Sequence, residues 1–63
     1  MTPAVGQIWG DKDGTPWSDY VILAYFPAAH AVLFAARHDV HAMVMDDDLW
    51  VRAHEYLRES SEA

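Results

Sequence analysis

Four histidines and ten carboxylates occur in this 63-residue chain, and His38, Asp39 and His41 lie close enough in sequence to raise imidazole–carboxylate chemistry. Such a set can hold a divalent metal or move a proton. In a strand or tight turn, however, a spacing of three sends the two rings to opposite faces. There is no cysteine, and a third ligand would have to be His30, His54 or a remote aspartate. The spacing therefore predicts turn and surface histidines, with no metal and no cofactor.

Other catalytic patterns fare no better. The chain has no Gly-x-Ser-x-Gly elbow, and Ser18, Ser60 and Ser61 fall in a loop or a tail. Asp11, Asp13 and Gly14 lack the alternate oxygen ligands, sixth-position glycine and distant glutamate of a calcium-binding EF-hand loop. Asp46, Asp47 and Asp48 are adjacent on what reads as a turn, where carboxylates accept from the free amides of a helix start. No set meets the geometric tests for a catalytic site, so the expectation is a protein that is not an enzyme.

Binding chemistry is better supplied. Eight aromatic side chains are many for a chain this short, and Trp and Tyr are enriched where proteins grip partners. Trp17, in the first loop, and Trp50, at the helix start, are the rings expected to be exposed. Beyond residue 38 seven acidic side chains face only Arg52 and Arg58. Asp39, Asp46, Asp47 and Asp48 thus form the expected acidic contact surface, and its natural partner is a protein with a basic surface. A formal charge of −6 argues against direct nucleic-acid binding, because phosphate affinity comes mainly from Lys and Arg. No apolar run is long enough to span a membrane, and Met1 to Gly6 carries no positively charged leader. The expected compartment is the cytoplasm.

The elements that position these residues follow from period and punctuation. Val5 to Trp9 reads as a short strand, and Gly10 to Pro16 as a loop rich in turn formers. Tyr20 to Phe26 is β-branched and aromatic and stops at Pro27; apolar at both parities, it is expected to be central and covered on both faces. Residues 28–37 contain helix-forming alanines, but His30 to Ala35 is a compact apolar run one hairpin connection away, which favours a strand. His41 to Met45 gives a fourth strand. A helix is expected from Asp46, with Leu49, Ala53, Tyr56 and Leu57 on one stripe and Glu55 paired to Arg58. The fold class predicted is α+β, mainly β: a four-stranded antiparallel meander or SH3-like barrel with a C-terminal helix. A single domain is expected over residues 1–63, ordered across 5–57 with a frayed tail at 58–63. A domain this small buries only about 60% of its unfolded surface, which leaves room for a homodimer.

Val5-Gly6-Gln7-Ile8-Trp9, the Asp-Gly turn, the Tyr-Val-Ile-Leu strand and the acidic turn into Leu49-Trp50 resemble the small SH3-like barrel proteins of phage genomes. The resemblance implies the fold and a phage setting. In that setting the acidic surface suggests an inhibitor that mimics phosphates against a host nucleic-acid enzyme or a CRISPR-type defence complex. The alternative is a structural or assembly module, acting as a homo-oligomer or part of a phage particle.

Overall fold

Two residues set where the first strand begins. Gly6 adopts φ +88°, a left-handed conformation that strains a residue with a Cβ, so Val5 and Gly6 turn and pairing starts at Gln7 instead of Val5. In this computed structural model, which describes residues 2–13, 19–37, 39 and 41–60, β1 is Gln7–Asp11, β2 Asp19–Phe26, β3 Ala31–Ala36 and β4 Ala42–Asp46. Helix α1, Asp47–Ala53, and strand β5, His54–Glu59, complete the order. Proline 27 ends β2 as expected, opening a 3-10 turn at Pro27–Ala29 that closes when the His30 amide donates to Pro27 O at 3.1 Å. His30 itself sits at φ 52°, the sole positive φ among the described non-glycine residues.

The strands β1 to β4 form the expected antiparallel meander, with residues 31–36 a strand despite their alanines. The meander is not the whole sheet. Among the described residues there are five strands in the order β4-β3-β2-β1-β5, because β5 returns to lie antiparallel along β1. The C-terminal helix is accordingly two turns long and stops at Ala53. Tyr56 and Leu57, expected on its apolar stripe, belong to β5, where Tyr56 stands across from Trp9. Pairing with the otherwise open side of β1 outweighs the weak helix preference of this segment. Arg58 and Glu59, expected in the tail, are likewise strand residues, and the Ser60 amide donates to Gly6 O at 2.7 Å. Arg58 does not form the helical pair with Glu55: its guanidinium reaches Asp19 at 3.2 Å, beside Arg37 at 3.7 Å.

Register divides the side chains into two faces. Rows Trp9–Tyr20–Ala36, Ile22–Phe34–Met43 and Tyr25–Val32–Met45 point inward. Trp9, Ile22, Val32, Phe34 and Trp50 are the buried cluster on this side, with Tyr20, Tyr25, Met45, Val51 and Tyr56 packed around it. Rows Ile8–Val21–Ala35–Ala42, Ala24–Leu33–Val44 and Phe26–Ala31–Asp46 lie on the other face, where Ile8 and Ala35 are nonetheless buried. No helix of the described residues is long and apolar enough to cross a membrane.

Candidate interaction surface

Asp46, Asp47 and Asp48 do lie together, with carboxylate oxygens within 4.8 Å of one another, but they do different jobs. Asp46 is the helix N-cap: its Oδ1 accepts from the Asp48 and Leu49 amides at 3.0 and 3.2 Å. Asp47 turns into the protein, where Oδ2 accepts from the Tyr25 hydroxyl at 3.0 Å and Oδ1 lies 3.4 Å from His30 Nδ1. That hydrogen bond, with some burial and the charges of Asp47 and Asp48, raises the Tyr25 hydroxyl above its ordinary value. Asp48 alone projects to solvent without a side-chain partner among the described residues. Asp39 works locally, accepting from the His41 amide at 3.1 Å and meeting His41 Nδ1 at 2.8 Å across the β3–β4 turn. His38 and Trp17 lie outside the described residues.

Trp50 is not exposed. It is 0% accessible, enclosed by Trp9, Tyr20 and Phe34 at centroid distances of 6.0, 6.0 and 4.5 Å and stacked on His54 at 4.0 Å. The reason is the orientation of α1: two turns can bury one large side chain, and the inward face of the sheet has the matching hollow. Removing an indole's roughly 200 Å² from water is worth at most about 5 kcal/mol. That exceeds the penalty of about 1–3 kcal/mol for its Nε1, which has no hydrogen-bond partner among the described residues. His54 is also buried; Nδ1 lies 3.2 Å from Trp50 O and Nε2 3.2 Å from Asp11 Oδ1. Asp11 Oδ2 in turn accepts from the Tyr20 hydroxyl at 3.3 Å. Burial first, then the charge and hydrogen bond of Asp11 and the charge of Asp13, raise that hydroxyl. These contacts, partly buried, thus tie the ends of β1, β2 and α1 together.

The outward face of β2, β3 and β4 is partly open: Ala35 on it is buried and Val21, Ala24, Ala31 and Leu33 are half-buried. Val44 is 67% exposed and Phe26 53%, with Leu23, the extra residue at the β2 register shift, also exposed. Ala24, Leu33 and Val44 stand in one cross-strand row and Phe26, Ala31 and Asp46 in the next, so Asp46 is the charge at the margin of an otherwise apolar area. Comparison with known protein families, curated proteins and solved structures returns no match. The central place expected for β2 holds, but the expectation that both its faces are covered does not. The signal was in the sequence all the same: β2 and β3 are apolar at both parities, and in so short a chain few residues remain to cover a second face.

Proposed function

We propose that this chain is a non-catalytic protein-binding module with the strand arrangement of an SH3-like barrel, and that it grips its partner through the outward face of β2, β3 and β4. One observation carries the reading: the exposed Val44 and Phe26 belong to adjoining cross-strand rows whose other apolar members, Ala24, Leu33 and Ala31, are half-buried, so the two are joined by apolar surface that is partly open. Support for the barrel is the order β4-β3-β2-β1-β5 with a short helix between the last two strands. The chain works without a cofactor, in the cytoplasm.

A second reading keeps the acidic corner as the contact, in a phage inhibitor that substitutes carboxylates for phosphates. The closeness of three carboxylates and the formal charge of −6 favour it. With Asp46 and Asp47 engaged within the fold, Asp48 is the residue of the trio best placed to serve it.

Photo-crosslinkers at Phe26 and Val44, with Lys12 as control, in a bacterial host lysate separate the two. Capture from Phe26 and Val44 that tolerates high salt and Asp48→Asn is the expected result. Capture that collapses with salt and with Asp48→Asn, and is equal from Lys12, would transfer the site to the acidic corner.

A further inference from the structure

His54 is a buried titratable side chain that the proposed contact surface does not use; its side chain is 6% exposed, and both of its ring nitrogens face acceptors. Nδ1 lies 3.2 Å from the Trp50 carbonyl oxygen and Nε2 3.2 Å from Asp11 Oδ1. A neutral imidazole has one N–H and one lone pair, so at one of these contacts it would set a lone pair against an oxygen. The imidazolium donates at both. Asp11 is held as an acceptor in its turn, because the Tyr20 hydroxyl donates to its Oδ2 at 3.3 Å. The ring also lies on the Trp50 indole at 4.0 Å, and an indole face is the aromatic surface that attracts a cation most strongly.

We propose that His54 and Asp11 form a pH-sensitive clasp: in the folded chain His54 carries a proton on each ring nitrogen, and losing one releases the corner where α1 passes into β5. Placement gives the clasp its leverage. Asp11 and His54 are direct partners in the β1–β5 ladder, and the Lys12 amide beside them donates to Ala53 O at 3.2 Å. The pair therefore closes one end of the contact that brings residues 54–59 into the sheet. Around the ring, β1 supplies the Asp11 carboxylate and β2 the edge of Tyr20 at 5.3 Å, with the charge of Asp13 acting on Tyr20. Strand β3 supplies Phe34 and α1 the Trp50 indole, with Arg52 in the last helical turn; Lys12 and Glu55, the chain neighbours of the pair, are exposed. An unfolded histidine gives up its second proton near pH 6.5, so above about that pH folding takes up a proton, and stability falls as pH rises.

The test is urea denaturation from about pH 6.5 to 8.5, joined to nitrogen NMR of the His54 ring at about pH 7.5, in wild type and Asp11→Asn. Asparagine is the diagnostic replacement. Its amide oxygen still accepts from Tyr20 while its amide nitrogen donates to Nε2, so a neutral ring is satisfied at both nitrogens. Wild-type His54 should show a bound proton on each ring nitrogen, and the Asp11→Asn ring one bare nitrogen. The unfolding constant of the wild type should rise with pH more steeply than that of the variant, by up to about tenfold per pH unit. A bare ring nitrogen in the folded wild type, or equal slopes in a normally folded variant, overturns the clasp. Should Asp11→Asn fail to fold, the ring protons of the wild type decide alone.

Discussion

The Trp50 indole lies nearly flat on the His54 imidazole, with centroids 4.0 Å apart and planes inclined by 21°. The residues are four apart, yet Trp50 lies in the middle of α1 and His54 opens β5, so the stack fixes the corner at which the chain leaves the helix for the sheet.

Trp50→Ala should therefore be close to lethal for the fold. Cavity formation at a buried Trp costs about 3–5 kcal/mol, against a total stability of about 3–9 kcal/mol at this length. Trp50→Phe, which also removes the unpartnered Nε1, should lose less. Urea denaturation followed by far-ultraviolet circular dichroism measures both; a loss below about 1 kcal/mol for the alanine variant would show that Trp50 is not the centre of the core.

Asp46 and Asp48 should behave differently although they are two residues apart. Asp46→Ala removes the helix cap and should cost about 1 kcal/mol, Asp46→Asn should restore most of it, and Asp48→Ala should change stability by under about 0.5 kcal/mol. Equal effects in thermal melts would contradict the capping geometry.

Alkaline stability should carry the mark of Tyr20. Its hydroxyl is raised by burial and by Asp11 and Asp13, so the folded chain holds that proton more tightly than the unfolded chain, which releases it near pH 10. The contribution is complete below about pH 10 and is lost as pH rises from there through the folded value. Tyr20→Phe should flatten this part of the melting-temperature profile between pH 9 and 12, compared with wild type at about the same salt. An identical slope in the variant would assign alkaline unfolding to other groups.

Gly6→Ala should destabilise through the backbone alone. A Cβ there would meet Ser60 Oγ at 3.5 Å, an ordinary contact, but φ +88° costs a side-chain-bearing residue about 1 kcal/mol or more. Because Gly6 bonds Ile22 O and Ser60 N, exchange of the Ser60 amide should quicken in the variant.

Much of the architecture is written locally. Tyr20 to Phe26, the stop at Pro27, the apolar run to Ala36 and the return at Ala42 need hairpins between neighbours, and the capping role of the acidic turn follows from three adjacent carboxylates before Leu49. The corrections arise where distant parts meet. Residues 54–59 carry both a helical stripe and enough alternation for a strand, and what selects the strand is β1, whose Gln7 lies across from Glu59 at the other end of the chain. Trp50 reads as exposed beside three aspartates, until the sheet presents a hollow that only an inward-turned α1 can fill. The same packing turns Asp47 away from solvent toward Tyr25 and His30. Periodicity gives each segment its two faces; which face finds cover depends on the area the remaining chain can supply, and in 63 residues that runs out over β2, β3 and β4.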